Sequence, residues 1–215
     1  MILMLSSFSC SYSCMCTGAY AGVNCDYQCT RIIDLAFVLD YSGTIDDNMM
    51  IEALVSQTIY GLAVTAARTH VAVITYSDNV TVLFYLNTYT SQEQIQNAMS
   101  FGKTGGRTNT VAALQSLYQS IFIASRGYRD GMAKIAVVIT RGQSNVDQLN
   151  TVLEAQNVRS QGIELFVVAQ GSNPNYDEIN GIATPSSGHV LNLTSIADVV
   201  AVAKTLQTTL CNNPT

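Results

Sequence analysis

The chain has 215 residues, enough for one α/β domain with a sizeable core and a small appendage. Its formal charge of −5 argues against a nucleic-acid partner, because no basic surface is available to neutralise phosphates. Charged residues make up only 12% of the chain, so Ser, Thr, Asn and Gln must cover the exposed helix faces, which is compatible with secretion.

Residues 1–9 form an apolar N-terminal segment that lacks a basic start. The segment is too short to span a membrane and is atypical of a signal peptide. Either the true N-terminus is missing or the signal is unusual. No other stretch approaches membrane-spanning length, so no membrane insertion is expected from this chain.

The six cysteines lie at the two edges of the sequence: Cys10, Cys14, Cys16, Cys25, Cys29 and Cys211. Cysteines placed outside the body of a fold are typical of disulfides formed in an oxidising compartment. Zinc binding by the N-terminal group is the alternative, but the spacing is irregular and no histidine is nearby.

Residues 10–28 contain Cys14-Met-Cys16, then eight residues and Cys25, with a glycine three positions before Cys25. This pattern resembles the C-terminal half of an EGF-like module. The resemblance implies a Cys16–Cys25 disulfide and leaves Cys10 as the only earlier partner for Cys14. Four cysteines allow three connectivities, so the pairing stays open. A loop held by two bridges, without a binding role of its own, is the alternative.

The apolar run 32–39 is followed by the polar turn Asp40-Tyr41-Ser42-Gly43-Thr44. A run of this kind is typical of a parallel strand buried on both faces, and such strands carry functional sites at their carboxyl ends. Asp40, Ser42 and Thr44 supply one carboxylate and two hydroxyls, which are ligands suited to a hard cation such as Mg²⁺. The alternative is a turn in which Asp40 and Ser42 only cap the next helix.

The same five residues resemble the D-x-S-x-S motif of von Willebrand factor type A domains, whose fold is shared with integrin I domains. Thr44 replaces the second serine and keeps the hydroxyl. In that family, this loop and two later ones form a metal-ion-dependent adhesion site. The resemblance therefore implies a metal site at this turn.

The next segments read as a helix from residue 46 to about 66, a strand at 71–76 and a strand at 80–86. The second of these strands follows a short turn, which predicts an antiparallel hairpin at the edge of the sheet. The inward stripe of the helix is predicted to be Ile51, Leu54, Val55, Thr58 and Leu62.

A short helix at 92–99 precedes a glycine-rich loop that ends Gly105-Gly106-Arg107-Thr108-Asn109-Thr110. The loop lacks the Gly-Lys-Ser/Thr ending of a phosphate-binding loop. It resembles the G-G-x-T-N-T loop of the A domains, and the resemblance makes Thr108 a metal ligand. The alternative is that Thr108 or Asn109 is simply an N-cap.

The strand predicted at 134–140 ends in Arg141-Gly142, where the family pattern has Asp-Gly. The arginine reverses the charge expected at this position, so Mg²⁺ binding should be weak or absent. Arg141 is expected to pair with Asp40 in place of the cation or, less favourably, to swing into solvent. Tyr41, Gly43, Arg107 and Arg141 are predicted to form the ligand-binding face.

The remaining elements are a helix at 147–158, a strand at 163–169, a short helix at 176–182, a strand at 190–193 and a final helix capped by Ser195. Two inward stripes are predicted, one in each of the longer helices: Leu149, Val152, Leu153 and Gln156, and Ile196, Val199, Val200, Ala203, Leu206 and Leu210. The alternation predicts a doubly wound α/β fold, with a mostly parallel sheet, one antiparallel edge strand and helices on both faces.

Residues 29–212 are therefore predicted to be an A-like domain. Its first strand starts, and its last helix ends, opposite the proposed site, which predicts a Cys29–Cys211 disulfide. Asn79-Val-Thr and Asn192-Leu-Thr are acceptor sites for N-glycosylation.

The family resemblance implies an extracellular adhesion module that binds a protein or glycan, with a degenerate metal site. A spacer module of a larger secreted protein, with a vestigial site, is the alternative. An enzyme is not expected, because no G-x-G-x-x-G or G-x-S-x-G motif is present. Neither histidine, His70 nor His189, falls in a loop near Ser42.

Overall fold

The computed structural model of the chain describes residues 20–21, 27–28, 31–99 and 105–211. Its main domain is built on one six-stranded sheet with the order β5-β4-β3-β6-β7-β8. The strands are β3 (Ile33–Asp40), β4 (Thr69–Tyr76), β5 (Val80–Phe84), β6 (Ala133–Thr140), β7 (Ile163–Gln170) and β8 (Val190–Leu193). Within this sheet, only the β4–β5 pair is antiparallel, and β5 lies at an edge. The predicted fold class and its antiparallel edge strand are confirmed.

In the described part of the chain, six α-helices accompany the sheet: α1 (Ile45–Tyr60), α2 (Gln92–Ala98), α3 (Thr110–Ser116), α4 (Thr151–Ser160), α5 (Tyr176–Ile182) and α6 (Val199–Cys211). A π-helical turn at Leu117–Ile121 extends α3. All eight residues of β3 are buried, as expected for a central strand covered on both faces. Alternate β3 residues contribute to two apolar clusters. One contains residues of α1 and α6, and the other contains residues of α3, α4 and α5.

The predicted inward stripe of α1 is confirmed, because all five of its residues are fully buried. The helix ends at Tyr60, six residues earlier than predicted. Two buried glutamine side chains satisfy its terminal carbonyl groups. Gln92 Nε2 donates to Tyr60 O at 2.9 Å, and Gln207 Nε2 donates to Gln57 O at 2.8 Å. The last turn of α1 contains no basic residue. The two amides therefore donate the hydrogen bonds that a basic side chain often gives to the last carbonyl groups of a helix.

The predicted stripe of α4 is wrong. Leu149 and Leu153 have 93% and 60% of their surface exposed, whereas Thr151, Ala155 and Val158 are buried. The helix also starts four residues later than predicted, after Asp147 in a left-handed conformation and a 3₁₀ turn. The helical period in the sequence placed the large apolar residues on the inward side of α4. Close packing between helices also buries small residues, which a search for large apolar side chains overlooks. A Cβ atom on Gly181 of α5 would lie 2.6 Å from Val152.

The stripe of the last helix needs a smaller correction. Val199, Ala203, Leu206 and Leu210 are buried as predicted, but Ile196 and Val200 are 64% and 60% exposed. Residues Ile196–Asp198 form a 3₁₀ turn, which is capped by Ser195 and Asp198. The α-helix itself, α6, begins only at Val199. The α-helical period therefore does not apply to Ile196.

The N-terminal segment is described only in part. The two-residue strands β1 (Tyr20–Ala21) and β2 (Tyr27–Gln28) pair antiparallel. The predicted EGF-like module and its Cys16–Cys25 bridge otherwise lie outside the described residues. Cys211 is disulfide-bonded, and the other five cysteines also lie outside the described residues, so the predicted Cys29 pairing stays a prediction. Within the described ranges, no helix is long and apolar enough to cross a membrane.

Candidate functional site at the carboxyl end of the sheet

A polar cavity of about 190 Å³ lies where β3, β6 and β7 end. We call the surface around its mouth the carboxyl-end face. It includes the loop after β3, the loop before α3 and the loop after β6. The cavity is lined by Asp40, Ser42, Gly43, Gly106, Thr108, Arg141, Gln143, Asn145 and Gln170.

Three of the predicted metal ligands meet in this cavity through a chain of hydrogen bonds. The Thr108 hydroxyl donates to Ser42 Oγ at 2.8 Å, and the Ser42 hydroxyl donates to Asp40 Oδ1 at 2.6 Å. Thr140 Oγ1 donates to the other carboxylate oxygen of Asp40 at 2.8 Å. The Ser42 and Thr140 hydroxyls donate to Asp40 and the Thr108 hydroxyl donates to Ser42, so these hydroxyls have only acceptor capacity left. The cavity therefore presents a group of neighbouring oxygen acceptors.

Asp40 is a desolvated carboxylate. Only 6% of its surface is exposed, and this burial raises the pKa of its carboxyl group. Hydrogen bonds from Ser42 and Thr140 and the charge of Arg141 oppose the shift but do not cancel it. An ionised carboxylate in such a place is costly unless a cation or further donors compensate it.

Thr44 lies outside this group of ligands. Its hydroxyl donates to Asp47 Oδ2 at 2.6 Å and accepts from Asp47 N at 3.3 Å, while Thr44 N donates to the same carboxylate oxygen at 3.0 Å. These contacts form a capping box at the start of α1. The helix-capping alternative therefore describes Thr44, whereas Ser42 and Asp40 line the cavity.

Arg141 takes neither of the two expected positions. Its Nη2 atom forms an ion pair with Asp47 Oδ1, and its side chain is 41% exposed. The Asp47 side chain is 14% exposed. Burial by itself would raise the pKa of Asp47, but hydrogen bonds from Thr44 and the contact with Arg141 lower it overall. The expected Arg141–Asp40 ion pair was wrong because a second carboxylate lies closer to the guanidinium.

The loop that carries Thr108 is tied to both neighbouring loops. Gly105 N donates to Tyr41 O at 2.9 Å, and Thr108 N donates to Asn145 Oδ1 at 2.8 Å. The loop needs glycine at Gly106, where φ is +107° and a Cβ atom would lie 2.4 Å from Asp78 Oδ2. Asn109 caps α3 through a bond from Ala112 N. Its capping role leaves the Thr108 hydroxyl free to contact Ser42.

The predicted ligand-binding face needs one correction. Tyr41 is only 3% exposed, and its hydroxyl donates to Glu52 Oε1 at 2.8 Å, so it belongs to the core. Gly43 and Arg141 line the cavity as expected. The Arg107 side chain is 68% exposed, and its Nε atom lies 2.6 Å from Asp78 Oδ1. Arg107 is therefore a surface residue beside the cavity.

Sequence reasoning missed three amide side chains in the cavity: Gln143, Asn145 and Gln170. Gln170 is the last residue of β7 and is 2% exposed. A polar residue that ends a buried strand is the signal that identified Asp40, and it could also have identified Gln170. Gln143 and Asn145 lie in the loop after β6, where no comparable pattern marks them.

The donor set fits a weakly held hard cation. Asp40 supplies one carboxylate, and Ser42 and Thr108 supply neutral oxygens beside it. The remaining charged side chain in the cavity lining is Arg141. Among the described residues, no group of three or more His, Cys, Asp and Glu residues could hold a metal.

Comparison with known proteins identifies the family of the chain. The von Willebrand factor type A domain family matches residues 34–207. Mouse collagen alpha-5(VI) chain is 35% identical over 198 residues, which are 87% of this chain and 7% of that protein. Human matrilin-1 is 28% identical, over 94% of this chain and 42% of its own length. Bovine integrin alpha-2 is also 28% identical, over 88% of this chain and 18% of its own length. The chain thus spans less than half the length of these three relatives.

Two solved structures share the fold. Proximal thread matrix protein 1 from the mussel byssus, described with a zinc-occupied MIDAS motif, has a TM-score of 0.77 and 20% identity. The match covers 85% of this chain and 49% of that one. Manganese-loaded TRAP protein from Plasmodium vivax has a TM-score of 0.69 and 18% identity, over 83% of this chain and 74% of its own. With the family match over most of its length, this chain belongs to the von Willebrand factor type A domain family.

Proposed function

We propose that the domain is an extracellular adhesion module that binds a protein ligand, or less favourably a glycan, at the carboxyl-end face. The observation that carries the proposal is the convergence of Asp40, Ser42 and Thr108 from two separate loops into one open polar cavity. Residues that only capped helices would not need to meet in this way. Similarity to a collagen chain, a matrilin and an integrin supports an extracellular setting.

The metal site is proposed to be degenerate. A single carboxylate and two hydroxyls supply little negative charge for a divalent cation, and Arg141 adds a positive charge in the same cavity. We expect Mg²⁺ to bind weakly, with a dissociation constant on the order of 10⁻⁴ to 10⁻³ M, by analogy with the weakest oxygen-ligand Ca²⁺ sites. Micromolar binding without a partner would contradict this expectation.

A binding role is proposed in preference to a catalytic one. His70 has its ring nitrogens 3.2 and 3.1 Å from the carbonyl oxygens of Gly127 and Ala66. His189 is stacked on Phe166, with its Nε2 atom 2.9 Å from Glu164. Both histidines are therefore engaged away from Ser42 and are not placed to activate its hydroxyl.

The finer organisation of the chain is also a proposal. Residues 1–9 would be an apolar N-terminal segment, residues 10–28 a partial EGF-like segment and residues 29–212 the A domain. The disulfide at Cys211 supports an oxidising compartment. Mass spectrometry of non-reduced peptides would show whether its partner is Cys29.

The function is tested by mapping a purified partner onto the surface of the immobilised domain. Thr108→Ala and Gln143→Ala change the cavity, whereas Lys204→Ala changes an exposed position of α6 as a matched control. We expect the first two variants to weaken binding at least tenfold and the control to bind like wild type. A partner that responds to Lys204→Ala and ignores both cavity variants would favour the spacer role with a vestigial site.

A further inference from the structure

We propose that Asp47 is a counter-ion that holds the Arg141 guanidinium away from Asp40 and so keeps the cavity open to a divalent cation. The inference rests on the proposed function of the cavity, because it assigns a role to a residue beside that site. Asp47 does not line the cavity and lies in the first turn of α1, where a carboxylate also favours the helix N-terminus.

The position of the Asp47 side chain is set from several directions. One carboxylate oxygen accepts from the backbone and the hydroxyl of Thr44, and the other contacts Arg141 Nη2. The Asp47 carbonyl oxygen accepts from Gln170 Nε2 at 2.9 Å. The two bonds from Thr44 hold the carboxylate, and the bond from Gln170 holds the backbone of Asp47, so the carboxylate can act as a stable anchor for the Arg141 side chain.

The backbone of Arg141 is equally constrained. Its carbonyl oxygen accepts from Asn175 N at 2.8 Å. A Cβ atom on Gly171, where φ is +87°, would lie 3.7 Å from Arg141 Nε. The arginine side chain therefore passes close to the backbone at the end of β7 and reaches Asp47 beyond it.

The charges explain why the ion pair matters. Asp40 and Asp47 are carboxylates, and Arg141 is always protonated, so the formal charge of the three is −1. While Arg141 is paired with Asp47, the remaining negative charge is on Asp40. Without the Asp47 charge, Asp40 is the carboxylate that shares a cavity with the guanidinium. Pairing there would neutralise Asp40 and place a cationic side chain where a metal ion would bind.

The test is a double-mutant cycle on the intact chain, with Mn²⁺ as the probe and free Mn²⁺ measured by electron paramagnetic resonance. The four proteins are wild type, Asp47→Asn, Arg141→Gln and the double variant. Asparagine keeps a side-chain oxygen for the Thr44 cap and removes only the charge. Asp47→Ser provides a second form of the change if Asp47→Asn folds poorly. Asp198→Asn, which removes the charge of the other capping-box carboxylate, next to Ser195, is the matched control.

We expect Asp47→Asn to weaken Mn²⁺ binding at least tenfold when Arg141 is present, and less than threefold in the Arg141→Gln background. Asp198→Asn should bind like wild type. Equal losses in both backgrounds would overturn the inference, since Asp47 would then act through its own charge or its cap. No loss in either background, or no Mn²⁺ binding by any of the four proteins, would also overturn it. A partner that maps elsewhere would instead refute the proposed function and leave this cycle unchanged.

Discussion

Arg129 offers a test of how this weakly charged chain uses a buried ion pair. The Asp34 side chain has no exposed surface and lies at the start of β3, at the end of the sheet opposite the cavity. Arg129 donates to it from Nε at 2.9 Å, from Nη2 at 2.5 Å and from the backbone nitrogen at 2.8 Å. Its Nη2 atom also donates to the carbonyl oxygens of Ile33 and Arg68. One guanidinium thus donates hydrogen bonds to a buried carboxylate and to two backbone carbonyl groups.

Arg129→Met keeps much of the side-chain volume and removes these donors. Asp34 would retain the bond from the backbone nitrogen and His70 Nδ1 at 3.7 Å. Removing one partner of a buried ion pair costs about 3–5 kcal/mol, because the remaining charge is left without compensation. In a domain of this size the melting temperature should fall by about 6–20 °C.

Urea denaturation followed by circular dichroism measures the free energy of unfolding directly. Adding Asp34→Asn to Arg129→Met should recover part of the loss, because no buried charge then remains. Arg107→Met, which breaks an exposed ion pair, should change the midpoint very little. A loss below about 1 kcal/mol for Arg129→Met, or no recovery in the double variant, would refute the reasoning.

Three further predictions concern the backbone, the disulfide and modification. Gly142→Ala should destabilise by about 1–3 kcal/mol, because φ is +67° there and a Cβ atom would lie 2.7 Å from a neighbouring carbonyl oxygen; an unchanged urea midpoint would contradict this. Replacing Cys29 or Cys211 by serine should cost about 4–5 kcal/mol from chain entropy, and a peptide that links Cys29 to a different cysteine would disprove the pairing. Asn79 and Asn192 are both exposed, so material secreted by a glycosylating cell should lose mass on glycosidase treatment. An unchanged mass would count against both sites or against secretion.

The elements that sequence reasoning predicted well are those with a strong periodic or terminal signal. The continuous apolar run of β3 and the stripe of α1 fall where they were expected, because a strand covered on both faces and a helix covered on one impose simple patterns. The loop at Thr108 was found by its glycines, which the backbone conformation at Gly106 requires. Where the signal was weaker, at Leu149 and Leu153, tertiary packing overrode periodicity.

The sequence by itself determined the order of the strands and helices, the polar turn at Asp40 and the arginine that replaces an acidic residue. It could not determine which carboxylate Arg141 would contact, because Asp40 ends β3, Asp47 follows seven residues later, and both lie about one hundred residues from Arg141 along the chain. Only the tertiary structure decided that choice. The capping box at Thr44 fixes Asp47 within reach of the guanidinium, while hydrogen bonds from Ser42 and Thr140 occupy both oxygens of Asp40. The distances from Arg141 to Asp40 and Asp47 are set only when the fold brings their loops together at the end of the sheet, and these distances determine which ion pair forms.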